Sequence, residues 1–295
     1  MKYLKVLKHQ NDLGWLDLAI SSKKEDASSL KFMKPDVEKR YKFYDLEVKQ
    51  FRKCPADTTF PCDDDKDLLI GFYECPPIKL KEEIIKRRNM HGLKDCPFCG
   101  MPLRPLTLDH FIPKSKWPEY SILPNNLVPQ CRGCAPIKGE KYFDSGNNQC
   151  FFISPIHSDL LEKVRLKINV VFLADTKKYE FDIIFGVDSS IDQADEIRLI
   201  SHIKNLKIKS RIFMYCKETI MGLISSCEAK KFNLNMVLQA RKEERFVDDN
   251  SVRDWQTALY VGLLKNIDFL KYLESLMPTN KTGEKAKMTT KVLQI

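Results

Sequence analysis

The chain has 295 residues, 43% hydrophobic and 30% charged, which is the balance of a globular protein of one large or two ordinary domains and excludes a disordered or membrane-embedded chain. No run of about eighteen apolar residues predicts a spanning helix, and charges interrupt the apolar character of the first residues, which argues against a cleaved signal peptide and for a cytoplasmic location. A formal net charge of +9 favours a polyanionic partner, because Lys and Arg release counterions when they meet phosphate, although charge alone is a weak indicator.

Residues 1–93 read as a mixed, lysine-rich N-terminal region. Within it, residues 21–29 are a polar loop by composition, and residues 36–51, with Tyr41, Phe43, Tyr44 and Phe51, fit either a strand pair or a helix. Residues 78–92 predict a helix, with Ile84 and Ile85 a turn from Leu80 and Arg88 and with Gly92 as a stop. Residues 94–145 are dense in Cys, Pro and Gly and predict a small chemical module. In residues 146–278, two alternating apolar stretches around a short "TKK" turn predict a β-hairpin with one buried face. The period then lengthens: Ile197, Ile200 and Ile203 have helical spacing behind a Ser/Asp cap, and further helices are expected over 211–231, 233–246 and 251–276. Residues 279–295 form a basic tail expected to be disordered. No internal repeat is visible.

Cys96 and Cys99 in "DCPFCG" and Cys131 and Cys134 in "QCRGC" form two C-x-x-C knuckles. Each knuckle converges two thiolates from one tight turn, and two of them supply the four sulfurs of a closed tetrahedral Zn²⁺ site. A full thiolate set leaves no open coordination position, so this zinc is expected to be structural and the chemistry to lie elsewhere. Cys54, Cys62 and Cys75 have irregular spacing without interleaved histidine, and Cys150, Cys216 and Cys227 sit among apolar residues as small core side chains.

Between the knuckles, a strand is expected near 106–111 with Asp109 and His110 at its end, a second strand over 126–130, and a helix over 135–142. A lone Asp-His pair at a strand end is usually a surface or capping pair; its place inside a zinc frame makes it notable. This order, a C-x-x-C pair, a strand with "DH", a loop, "NNLVPQC", a second pair and "KGEKY", resembles the ββα-metal nuclease module of the HNH endonuclease family over about fifty residues. The resemblance implies an α+β protein with a zinc-framed HNH core, an N-terminal mixed region and a C-terminal β-hairpin plus helical region. It implies His110 as general base, Asp109 as a ligand to Mg²⁺ or another divalent cation, Asn126 (less well its neighbour Asn125) as the tether that orients the histidine, and Lys138 as a phosphate contact.

Ala135 departs from the family pattern, which usually has Asn or His there as the second protein ligand to the catalytic metal. A methyl group cannot coordinate a cation. Three readings are open: an introduced silencing substitution, natural loss of the ligand, or its supply by Asp144 or Glu140. The family implies metal-dependent hydrolysis of DNA, often as a restriction or anti-phage defence effector, some of which work with a partner ATPase. An RNA-cleaving toxin effector and a non-catalytic zinc-framed binding module are the alternatives. Lys86, Arg87 and Arg88 and the loop residues Lys114, Lys116 and Trp117 offer phosphate contact and base stacking, and the apolar C-terminal helices offer either core or an oligomer face.

Overall fold

Helical residues dominate the N-terminal region in the computed structural model, which describes residues 1–244 and 252–278. A single 3-10 turn at Lys5–Leu7 precedes α1 (Gly14–Ile20) and α2 (Ala27–Lys49). The open choice over 36–51 resolves as helix, and α2 begins inside the stretch expected to be loop. Leu30, Met33, Val37, Tyr41, Tyr44 and Val48 recur at helical spacing and are buried, whereas Phe43 is exposed. Burial of this stripe offsets Pro35, which sits inside the helix without an N–H for the carbonyl one turn back.

α3 (Asp63–Glu74) has Asp63, Asp64 and Asp65 in its first turn, where carboxylates complement the helix dipole. Lys24 donates to Gly71 O (2.9 Å) and Cys75 O (3.2 Å) at the other end, placing an ammonium against the carbonyls of the last turn of α3. α4 (Ile78–Asn89) buries Leu80 and Ile84, and Gly92 follows at φ +67°. No strand occurs among residues 1–93, so the mixed region is helical.

The module contains β1 (Thr107–His110) and β2 (Leu127–Gln130), antiparallel with Thr107 opposite Gln130 and His110 opposite Leu127. α5 (Ala135–Lys138) is one turn long, shorter than the expected 135–142, because Gly139 at φ +48° ends it. A two-residue pairing of β3 (Phe143–Asp144) with β4 (Gln149–Cys150) follows. The loop between β1 and β2 is nailed to α2 by buried charge: Arg40 Nε donates to Glu119 (2.8 Å) and its guanidinium lies 3.3 Å from Glu47, which accepts from the Tyr120 hydroxyl (2.7 Å).

The expected hairpin is β5 (Arg165–Leu173) with β6 (Lys178–Gly186), antiparallel throughout. α6 (Gln193–Asn205), α7 (Ile208–Ala229), α8 (Leu234–Glu243), α9 (Trp255–Leu264) and α10 (Ile267–Ser275) complete the described chain. Asp192, Asn233, Asp254 and Asn266 cap α6, α8, α9 and α10, each accepting from a backbone N–H in the first turn. α9 lies so close to β5 that a Cβ on Gly262 would meet Ile168 O at 2.1 Å, so only glycine fits there. The expected basic tail at 279–295 lies outside the described residues. No helix among the described residues is long and apolar enough to cross a membrane.

The C-terminal helices grip the first knuckle. His202 is buried, accepts at Nδ1 from Ile153 N (3.1 Å) and donates from Nε2 to Phe98 O (2.7 Å), so the ring must be the neutral Nε2–H tautomer. Burial pushes its pKa down to about 4. An unfolded histidine binds its proton near pH 6.5, so between those values the unfolded chain takes up a proton that the folded chain refuses, and stability falls as pH drops. His202 alone is expected to cost on the order of 1–2 kcal/mol between pH 7 and pH 5. Urea unfolding across that range should show a shallower pH slope in His202→Gln than in the parent chain; equal slopes would refute the assignment.

Candidate metal centre and phosphodiester site

The four knuckle cysteines converge in space. Cys96 Sγ lies 3.9 Å from Cys134 Sγ, Cys99 Sγ lies 3.9 Å from Cys131 Sγ, and all four sulfurs are within 4.8 Å of one another. A tetrahedron with Zn–S bonds of about 2.3 Å has edges of about 3.8 Å, so this buried set fits Zn²⁺. The turns behind it are local: Gly100 N donates to Cys96 O (2.8 Å) and Cys134 N to Cys131 O (3.0 Å). Gly100, at φ +74°, also lets Arg253 O approach to 2.7 Å of where a Cβ would stand.

Sequence reasoning missed two residues of this centre. Arg211 on α7 places its guanidinium 3.3 Å from Cys134 Sγ and 3.7 Å from both Cys99 and Cys131 Sγ, where it offsets part of the negative charge of a zinc tetrathiolate. Trp255 stacks beneath it at 5.4 Å and donates from Nε1 to Cys99 O (2.7 Å). Both lie far along the chain from the knuckles, and no local pattern marks them. Cys54, Cys62 and Cys75 are exposed, and Cys150, Cys216 and Cys227 are buried.

Asp109 and His110 stand at the end of β1. Asp109 Oδ2 is 3.1 Å from the ammonium of Lys138, whose side chain is fully buried and also donates to His110 O (3.1 Å). Burial raises the Asp109 pKa and Lys138 opposes that rise. His110 Nε2 donates to Ser121 O (3.0 Å); a carbonyl can only accept, so Nε2 carries the proton and Nδ1 the lone pair. His110 as a residue is partly buried, and desolvation pushes its pKa down to about 3, with Lys114 and Lys138 adding to the effect. At neutral pH the imidazole is uncharged.

Asn126 has all of its side-chain hydrogen-bonding positions in use. Oδ1 accepts from Ile112 N (2.8 Å) and the Tyr44 hydroxyl (2.8 Å), while Nδ2 donates to Ile112 O (2.9 Å) and Tyr120 O (3.0 Å). It thus ties both ends of the loop that carries the Ser121 carbonyl. Asn125 instead anchors the N-terminal segment, bonding His9 N (2.7 Å), His9 O (3.0 Å) and Asp12 (2.6 Å).

Several expected contacts are placed otherwise. Lys138 is paired with Asp109 and buried, so it does not face solvent as a phosphate ligand. Trp117 is buried and donates to Ala56 O (2.9 Å), which removes it as a stacking platform. Arg87 is spent on Leu127 O (2.6 Å) and Leu7 O (2.9 Å), and Lys86 pairs with Glu83 on the surface. The apolar residues Trp255, Leu259, Leu263 and Phe269 face this chain's own core.

The donors around Asp109 do not fit a protein-held Mg²⁺. Ala135, at the first position of α5, offers only a methyl. Asp144 caps its own turn through Gly146 N (3.0 Å) and Asn147 Nδ2 (2.6 Å), and exposed Glu140 lines a surface pocket with Cys54 and Lys116. Among the described residues the four thiolates form the one cluster of three or more potential metal-ligating His, Cys, Asp or Glu. A single carboxylate already facing an ammonium is a poor site for a hard cation that wants several oxygens.

No known family profile and no solved structure matches the chain. It is similar to protein ea31 of Escherichia phage lambda, 26% identical over 200 residues, covering 60% of this chain. The match spans 63% of the length of that relative.

Metal analysis of the purified chain should find one zinc per molecule, bound by Cys96, Cys99, Cys131 and Cys134. Removing it with a strong chelator is expected to abolish the cooperative thermal transition, since binding and folding energy are shared. An unchanged transition after metal removal would contradict a structural zinc.

Proposed function

We propose that the chain is an HNH-type endonuclease that hydrolyses phosphodiester bonds in DNA and is impaired because Ala135 leaves its catalytic metal site one ligand short. The observation that carries this reading is His110: a neutral imidazole with its Nδ1 lone pair unspent, held at the end of a zinc-framed strand. Hydrolysis requires a base for the attacking water, and the Nδ1 lone pair is the acceptor this reading gives that proton. The imidazolium so formed keeps its Nε2–H bond to Ser121 O, and Asn126 fixes the loop that presents this carbonyl.

In the HNH family a divalent cation supplies Lewis-acid stabilisation of the developing negative charge. Here Asp109 is the residue available for that role, and its ammonium partner Lys138 neutralises it in the present side-chain arrangement. Similarity to a protein of phage lambda is in keeping with a place in phage–host conflict, where such an effector would act with a partner ATPase. Ala135 and the Asp109–Lys138 pair also favour a second reading, a zinc-framed module that binds nucleic acid without cutting it.

The deciding experiment compares the parent chain with Ala135→Asn and Ala135→Asn/His110→Ala on duplex DNA, single-stranded DNA and tRNA, with Mg²⁺ present. Asparagine at 135 should raise duplex cleavage by about 100-fold or more, as expected when a ligand worth several kcal/mol is regained, and loss of His110 should remove the gain. Cleavage of tRNA alone would transfer the reading to an RNA toxin. No cleavage of any substrate by Ala135→Asn would leave the binding module.

A further inference from the structure

The helices ahead of the zinc module close one side of the His110 site. Tyr73, near the end of α3, meets the His110 ring edge-on, with centroids 4.3 Å apart and planes at 77°. The side chain of Arg88, from the last turn of α4, faces the Tyr73 phenol and favours its ionised form against the burial that raises its pKa. Lys114 stands 5.9 Å from the Tyr73 ring centroid and pairs with Glu74 at 2.6 Å.

These groups differ from the neighbouring basic residues in what they are free to do. Arg87 and Lys138 are committed to protein partners, as described above. Arg88 is half-buried, and none of the ion pairs among the described residues includes it. A partly desolvated guanidinium without a carboxylate presents a planar donor fork suited to phosphate oxygens. The Lys114–Glu74 pair is on the surface, with Glu74 60% exposed, so its lysine can exchange partners at little cost.

We propose that Tyr73 and Arg88 form a phosphate subsite beside His110, so that the site for a nucleic-acid backbone extends from the zinc module onto α3 and α4. This rests on the reading of His110 as the base of a phosphodiester-cleaving site. Arg88 would grip the phosphate next to the water that His110 activates. Tyr73 would orient Arg88 and supply a hydroxyl, and Lys114 would meet the same strand once released from Glu74.

The test uses binding, which does not require an intact metal site. A fluorescein-labelled duplex of about 20 base pairs and its single strand are titrated with the parent chain by anisotropy between 50 and 200 mM KCl, without added divalent cation. Arg88→Ala is expected to weaken binding about 5- to 10-fold and to reduce the slope of log K against log salt by about one. Arg88→Lys should recover part of the affinity and the full slope, and Tyr73→Phe, which keeps the ring, should weaken binding about twofold. Lys86→Ala, on the same helix, should stay within about twofold of the parent. Unchanged affinity and slope in Arg88→Ala would overturn the subsite, as would a parent chain that binds neither probe. The nuclease reading is judged separately by His110→Ala in the Ala135→Asn background, so failure of one is not failure of the other.

Discussion

Four buried cysteine sulfurs held within 4.8 Å of one another are the constraint on which the rest of the structure depends. Bringing four sulfurs together in a dry interior is unfavourable unless a cation holds them, so the energy of metal binding becomes energy of folding. The two knuckles flank β1 and β2, which makes everything between them a loop closed at its base by the four-cysteine cluster. His110, Ser121 and Asn126 all lie inside that loop. The frame is not self-contained, however: Arg211 and Trp255 reach it from α7 and α9, and His202 clamps Phe98 from α6. The helical region therefore supports the centre as well as flanking it.

The chemistry of the site is governed by a competition for charge. Asp109 and Lys138 neutralise each other where exposure is nearly lost, and a pair in that environment is costly to break on one side only. A cation at Asp109 would have to displace or share with the ammonium, and it would find no second protein ligand at Ala135. His110 escapes the competition because its proton is fixed by a neutral carbonyl. Its depressed basicity keeps it uncharged at neutral pH, which suits proton acceptance but limits the driving force for it.

Much of this was legible in the sequence where the signal is local. The knuckles announce a four-sulfur site by spacing, and the β5–β6 hairpin announces itself by alternation. In α2, Tyr41, Phe43 and Tyr44 fit both periods, and the ambiguity is resolved only by the partners that bury Tyr41 and Tyr44. α5 ends early because Gly139 adopts a left-handed φ, a conformation that glycine permits without announcing. The contacts of Arg211 with the cysteine cluster and the burial of Trp117 were not legible. Each depends on a contact with distant chain, Cys99 112 positions from Arg211 and Ala56 61 positions from Trp117, and residue type alone made a solvent-facing stacking role for Trp117 equally reasonable.

The loop closed by the four-cysteine cluster holds His110 as a neutral imidazole with its lone pair on Nδ1. Long-range proton–nitrogen correlation NMR of the imidazole rings, in the zinc-bound chain at pH 6 to 7, reads this state directly. The expected result is a His110 signal of the Nε2–H tautomer that does not shift across that range. A protonated ring, or a proton on Nδ1, would contradict it.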